Sequence, residues 1–297
     1  MAMLTYIQRY LQPGQWFESN DQYHGNPPMM AAMDHATWLG LAVFDGARTF
    51  EGVTPDLDLH CARLIASCKK VRLNPPLTAE QVIDICRQGI AKFPKDALLY
   101  IRPEFWAVDG IVLANPDKVH FALVITEIPF PSDRFTACLS SYRRPDPRSA
   151  PTEAKSISNY ANLHLALFEA KDKGYDNLIM QDLSGNVCEF GTANMLYVKN
   201  NVVYTPAPNP CYLNGITRRR VSALLADAGY KIVERRTTLD DLYEADEVFS
   251  VGNLFKVRAC VKIESVEYPI GPVSTLAKKL YWDFAHGRIQ SKAQIIV

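Results

Sequence analysis

Five side-chain and backbone features of this chain could cooperate in one chemistry. Lys155 lies in Ala154-Lys155-Ser156-Ile157-Ser158-Asn159-Tyr160. A lysine held in a low-dielectric pocket near other cations sheds its proton readily and becomes an imine-forming nucleophile, although spacing alone does not set it apart from solvated lysines. Tyr160, five residues on, stands near a helix start, where its phenol could reach the same site or simply be half-buried. Glu189 follows the Ser184-Gly185 turn in Val187-Cys188-Glu189-Phe190. Strand alternation puts Val187 and Glu189 on one face, so the carboxylate points to solvent or is buried against a cation. In Leu213-Asn214-Gly215-Ile216-Thr217-Arg218, Gly215 allows close backbone approach and Thr217 is placed to cap the helix that follows. Amides at such an N-terminus bind phosphate; a plain capped helix is the other reading. Arg63 sits between the apolar positions of a helix. It is a solvated arginine or a bidentate phosphate partner.

Each feature alone has an ordinary structural role. Together they are an amine, a carboxylate, a phenol, a phosphate cup and a guanidinium. Pyridoxal phosphate needs that set: a lysine for its aldehyde, a carboxylate that keeps its pyridine nitrogen protonated, a phenol at its 3-oxygen, and amides with a cation at its phosphate.

The elements that must position them alternate between helix and strand. Leu57, Cys61, Leu64, Ile65, Cys68 and Val71 recur at helical spacing behind Asp56, which is placed as a cap. Thr78-Ala79-Glu80-Gln81 is a capping box opening a second helix. Leu98 to Arg102, Val119 to Ile125 and Phe135 to Tyr142 read as strands. A helix runs from about Tyr160 to Lys173 and closes at Gly174. Asn200-Asn201 is a hairpin turn, and helices follow at about 217–228 and 275–286. Pro129 and Pro131 mark a linker. The expected class is mixed α/β in two domains: 1–128, a linker at 129–133, and 134–297 carrying Lys155.

Composition narrows the alternatives. Of 297 residues, 48% are hydrophobic and 22% charged, which is ordinary globular usage. The 32 basic residues balance 32 acidic ones, so no positive field favours nucleic acid or an anionic membrane. The longest apolar runs fall far short of the roughly 20 residues needed to cross a bilayer. The N-terminus resembles neither a secretory signal nor a transit peptide. Seven scattered cysteines with no Cys-x-x-Cys fit reduced thiols in a cytoplasm, and no metal site is expected. Zincin, P-loop, dinucleotide and serine-hydrolase motifs are absent from the sequence.

Over nearly its whole length the sequence resembles the fold-type IV pyridoxal-phosphate enzymes, the branched-chain and D-amino-acid aminotransferases. The matching pieces are, in order, Val43-Phe44-Asp45-Gly46-Ala47-Arg48, His60-Cys61-Ala62-Arg63-Leu64 and Tyr100-Ile101-Arg102-Pro103. They continue with Lys155 to Tyr160, Asp182 to Glu189, Ala193-Asn194-Met195, Leu213 to Arg218, and Ala245-Asp246-Glu247-Val248-Phe249. The resemblance implies a two-domain α/β fold with the cofactor between the domains, and homodimers whose sites border the interface. It implies that Lys155 bonds to the cofactor aldehyde and then moves the proton, that Glu189 pairs with the pyridine nitrogen and Tyr160 with the 3-oxygen, and that Arg63, Ile216 and Thr217 hold the phosphate, with Asn253 near it in the cofactor site.

Around the substrate, the resemblance implies roles for Leu39, Tyr100, Arg102, Glu104, Gly252, Asn253 and Leu254. Tyr100 and Arg102 share one strand face. Glu104 extends that face if Pro103 does not break the alternation, and would then partly neutralise Arg102. Three features depart from the branched-chain pattern: Glu104 itself, Leu39 in place of a tyrosine, and Gly252-Asn253-Leu254 in place of Gly-Thr-Ala. With Met33-Asp34-His35 and Gly252-Asn253…Lys256-Val257, they make the chain similar to bacterial (R)-selective amine transaminases. The expected activity is ping-pong transfer of an amino group from an (R)-amine donor to a keto acid. Alternatives are an L-branched-chain amino acid aminotransferase, a D-amino-acid aminotransferase, an aminodeoxychorismate-lyase-like enzyme and a non-catalytic vitamin-binding protein. Pocket width would depend on the loops 22–38 and 129–134.

Overall fold

The computed structural model describes residues 2–10, 12–19 and 26–291, so residues 22–25 of the expected substrate loop lie outside the described residues. The chain forms two units. The first comprises the described residues of Met1–Phe130 with Glu153–Asn159, the second those of Pro131–Thr152 with Tyr160–Ile296.

In the first unit the elements are β1 (Met3–Gln8), β2 (Gln15–Ser19), α1 (His35–Leu39), β3 (Ala42–Phe44), β4 (Ala47–Thr49), α2 (Leu57–Lys70), α3 (Ala79–Ile90), β5 (Leu99–Ala107) and β6 (Val119–Glu127). They build an antiparallel sheet in the order β2-β1-β6-β5-β3, with β4 also on β5. Alternation along β5 sends Leu99, Ile101 and Phe105 into a core with Cys61, Leu64 and Cys68 of α2 and Val82 and Cys86 of α3. Trp106 packs with Ile7, Ala36, Ala42 and Ala122 in a second cluster.

β5 is longer than expected because Pro103 does not end it. The Pro103 carbonyl accepts from Asp45 N at 3.0 Å, so the edge that lacks an N–H faces the Asp45-Gly46 break between β3 and β4, where no ladder bond is lost. The capping box on α3 forms: Thr78 N donates to Gln81 Oε1 at 2.8 Å, and Gln81 N donates to Thr78 Oγ1 at 3.3 Å. Asp56 does precede α2, but it has φ 58° and makes no side-chain cap; a left-handed backbone does not aim the carboxylate along the first turn.

The lysine segment, expected in the C-terminal domain, groups instead with the first unit. Phe44 N donates to the Lys155 carbonyl at 3.0 Å, Lys155 N to Ser67 Oγ at 3.1 Å, and Ser156 Oγ to the Ala42 carbonyl at 3.2 Å. With the Val43–Ser156 bridge, Lys155 and Ser156 are laid beside β3, and both backbone polar groups of Lys155 are satisfied within the first unit.

The second unit runs β7 (Arg134–Arg143), α4 (Tyr160–Asp172), β8 (Asn177–Gln181), β9 (Val187–Phe190), β10 (Asn194–Lys199), β11 (Val202–Pro206), α5 (Ile216–Asp227), β12 (Ile232–Arg235), α6 (Leu239–Tyr243), β13 (Glu247–Gly252), β14 (Lys256–Ile263), β15 (Val266–Glu267) and α7 (Pro272–Ala285). Its mixed sheet has the order β12-β11-β10-β13-β14-β7-β8-β9, with β15 on β14. Asn200 and Asn201, at φ 51° and 60°, make the expected two-residue hairpin; the short polar side chains tolerate two left-handed residues in a row. One side of the sheet buries Phe135, Ile179, Phe190, Met195, Tyr197 and Val248. Cys138, Leu178 and Met180 pack on Ala166 and Ala170 of α4.

Candidate active site

In the first unit Phe44 carries two cations. The Lys155 ammonium lies 4.7 Å and the Arg102 guanidinium 4.2 Å from its ring centroid. Arg102 Nε donates to Glu104 Oε2 at 3.1 Å, and Glu104 is buried. The alternation through Pro103 is what brings Glu104 onto the Tyr100–Arg102 face. Burial raises the Glu104 carboxyl above the usual carboxylate value, and Arg102 pulls it back in part. Tyr100 lies against Gly46, where a Cβ would come within 2.6 Å of its hydroxyl.

Arg63 is placed by α2 and paired within the same unit. Its Nε and Nη2 grip the two oxygens of Asp45 at 2.7 and 2.8 Å, and His60 Nδ1 lies 2.7 Å from Asp45 Oδ1. Burial pushes the Asp45 carboxyl up, but Arg63 and His60 outweigh it and hold it well below the usual range. A bidentate pair fixes the plane of the guanidinium. Asp45 and His60 lie in segments matched in the sequence without a role; their contribution is to orient Arg63.

In the second unit Glu189 is buried on β9. Arg144 Nη2 meets its Oε1 at 2.7 Å, and Asn194 Nδ2 donates to its Oε2 at 2.9 Å. Of the two outcomes left open for this carboxylate, the chain uses burial against a cation. Sequence spacing missed Arg144, which stands in a proline-bearing stretch, and it gave Asn194 no role. Asn194 Nδ2 also donates to the Leu213 carbonyl at 3.0 Å, which ties Glu189 to the loop entering α5.

That loop ends in Gly215, the N-cap of α5, and no side chain caps the helix. Thr217 is therefore not the cap expected of it. It lies in the first turn, buried, beside Ile216. A Cβ on Gly215 would fall 2.0 Å from Asn194 Oδ1, so only glycine lets the helix start so close to Asn194. Gly252, at the end of β13, makes a matching approach: a Cβ there would sit 2.7 Å from that of Ala193. The α5 N-terminus and the Gly252-Asn253 turn thus both flank Ala193-Asn194. Asn253 Nδ2 is shut off from solvent and has no hydrogen-bond partner among the described residues. An amide without an acceptor beside an uncapped helix N-terminus fits an anionic group such as a phosphate.

The remaining expected residues fall as follows. Tyr160 opens α4, and its side chain is partly exposed; Leu39, on α1, is more than half exposed. Leu254 lies in the turn after Asn253. Arg63, Tyr100, Arg102, Glu104 and Lys155 belong to the first unit, and Tyr160, Glu189, Ile216, Thr217 and Asn253 to the second. Asp34 and His35 of the Met33-Asp34-His35 motif have structural duties: Trp106 Nε1 donates to Asp34 Oδ2 at 2.9 Å, and His35 Nε2 lies 3.2 Å from the Val112 carbonyl.

Residues 42–263 match the family described as Amino-transferase class IV. A branched-chain-amino-acid aminotransferase of Pseudomonas aeruginosa is 31% identical over 88% of this chain and 90% of its own length. The enzyme of that name from Escherichia coli K12 is 27% identical over 93% and 94%. Among solved structures, an aminotransferase from Brucella abortus bound to the cofactor PLP superposes with a TM-score of 0.90 at 40% identity, covering 96% of this chain and 100% of that one. A branched-chain aminotransferase from Thermoproteus uzoniensis with norvaline gives 0.85 at 26%, covering 97% and 96%.

Proposed function

Because the chain belongs to the class IV aminotransferases, we propose that it moves amino groups between an apolar amino acid of the branched-chain type and a 2-keto acid, with pyridoxal phosphate as cofactor. The observation that carries this reading is Glu189: a buried carboxylate held by Arg144 and Asn194 beside an uncapped helix N-terminus with an orphaned amide.

Bound there, pyridoxal phosphate supplies an aldehyde that takes up the amino group and a ring that accepts the electron pair left when the substrate carbon loses its proton. Lys155 would hold the cofactor through its Nζ and, once released by a donor, would serve as the base that moves the substrate proton. Glu189, paired with Arg144, would meet the pyridine nitrogen and favour its protonated form. Tyr160 would donate to the 3-oxygen. Arg63, Ile216, Thr217 and Asn253 would hold the phosphate. Arg102 would meet the substrate carboxylate, and Tyr100, Leu39, Gly252 and Leu254 would bound the substrate. Donor and acceptor react in turn at one site, so the kinetics are ping-pong, visible as parallel double-reciprocal lines.

The branched-chain reading is supported by the relatives' names. The earlier expectation of an (R)-amine donor has no such support, and two of its motif residues, Asp34 and His35, serve the fold. One observation still favours it as a second reading: Glu104 occupies Arg102 Nε, which weakens the pull on a donor carboxylate. L-leucine and (R)-1-phenylethylamine, compared as donors with 2-oxoglutarate, decide between them. The first reading expects a higher kcat/KM for L-leucine, and faster turnover of the amine would overturn it.

Homodimerisation is supported by an exposed apolar patch. Trp38 and Leu39 of α1 and Ile111, Val112 and Leu113 of the β5–β6 loop are all exposed, Leu113 by 88%. An open monomer rarely shows so many large apolar side chains together. Light scattering should give twice the chain mass of 33.4 kDa.

A further inference from the structure

Lys256 has no part in the function proposed above, yet it is among the most deeply buried side chains of the second unit, with 1% exposure. It opens β14 opposite Gly252 with φ 58°, a left-handed backbone that glycine or asparagine adopts more cheaply than lysine. A desolvated ammonium and a strained backbone at one residue are both costly and persist only where the surroundings hold them. The side chain runs beneath the Gly252-Asn253 turn. Its Nζ lies 5.4 Å from the ring centroid of Tyr281 on α7 and donates to Asn253 Oδ1 at 2.7 Å.

That last bond sets the sense of the Asn253 amide. An ammonium only donates, so the carboxamide must turn its oxygen to Lys256 and its Nδ2 away. Nδ2 is the orphaned buried donor at the turn that flanks Ala193-Asn194 together with the N-terminus of α5. Were the amide reversed, an acceptor oxygen would face any anion bound there and repel it.

Resting on the function proposed above, we propose that Lys256 is a positioning residue for anion binding: it fixes the Asn253 carboxamide so that Nδ2 joins the Ile216 and Thr217 amides as a donor to the cofactor's phosphate. Asn253 touches the anion, and Lys256 acts through Asn253. A lysine with a purely structural duty would support the turn whether or not the ligand carries a phosphate.

The test titrates the full-length chain with pyridoxal phosphate and with pyridoxal, which lacks the phosphate. Lys256→Met should weaken pyridoxal phosphate by about tenfold, the loss expected for one hydrogen bond to a charged group, and leave pyridoxal unchanged. Asn253→Ala should show the same selectivity, and adding Lys256→Met to it should cost nothing further. Equal losses for both ligands would overturn the proposal, as would a Lys256 effect that persists in full without Asn253. If Lys256→Met does not fold, Asn253→Ala alone decides, because an unchanged preference for the phosphorylated ligand would overturn the proposal. A wild-type chain that binds neither ligand would overturn the proposed function as well. One that binds pyridoxal phosphate normally while the variants match it would overturn this inference alone.

Discussion

Arg144 Nη2 and Glu189 Oε1 stand 2.7 Å apart, with side-chain exposures of 13% and 10%. Two desolvated charges at that distance depend on each other. Removing one leaves the other uncompensated, at a cost of several kcal/mol, far more than an exposed pair is worth. Arg144→Met should therefore lower stability by about 3 kcal/mol in urea titrations. Adding Glu189→Gln should cost less than the sum of the single changes. A loss under about 1 kcal/mol, the range of a surface pair, would mean that the guanidinium does not carry the carboxylate.

The Asp45 carboxyl lies below the ordinary aspartate value of 3.8 because Arg63 and His60 outweigh its burial. For a depressed carboxyl, the stabilisation is present in full above the unfolded value and is lost as pH falls toward the folded one. Wild type should lose stability steadily from about pH 4 downward. Asp45→Asn should be less stable at neutral pH, and the gap between the two should narrow in acid. Denaturant midpoints across this range check it; parallel profiles would remove Asp45 from the acid response.

Glu104 takes part of the charge of Arg102 through the 3.1 Å contact. Glu104→Gln frees that charge for a donor carboxylate. Its kcat/KM for L-leucine should rise roughly threefold to tenfold relative to (R)-1-phenylethylamine, a shift of about one kcal/mol. An unchanged donor preference would deny Glu104 a part in specificity.

A Cβ at Gly215 would fall 2.0 Å from Asn194 Oδ1. Gly215→Ala must push Asn194 off Glu189 or displace the first turn of α5, at about 1–3 kcal/mol. Cofactor affinity should drop with stability, because the same shift moves the Ile216 and Thr217 amides. Calorimetry with and without pyridoxal phosphate reads both effects, and an unchanged midpoint would show that the turn yields freely.

Much of this was legible in the sequence where one residue type had one physical use. Thr78 with Gln81, Asn200-Asn201 and the helical spacing from Leu57 to Cys68 gave their elements correctly, because caps, left-handed turns and periodicity are local. The assignments that went astray depended on the exact backbone at a helix start or on partners remote in sequence. Asp56 and Thr217 sit where caps belong, but the backbone before each helix decided otherwise. Lys155 was expected with the second half of the chain, and its backbone bonds to Phe44 and Ser67 place it in the first unit. Arg144 and Lys256 carry no local signal, since burial alone distinguishes them from solvated cations.

Central to the proposed function is one bond, between the Lys155 amine and the cofactor aldehyde. Reduction of the holoenzyme with borohydride fixes that bond, and peptide mass mapping then locates it. A single pyridoxyl phosphate label is expected, on the peptide containing Lys155. A label on any other lysine, or none on a protein that transaminates, would contradict it.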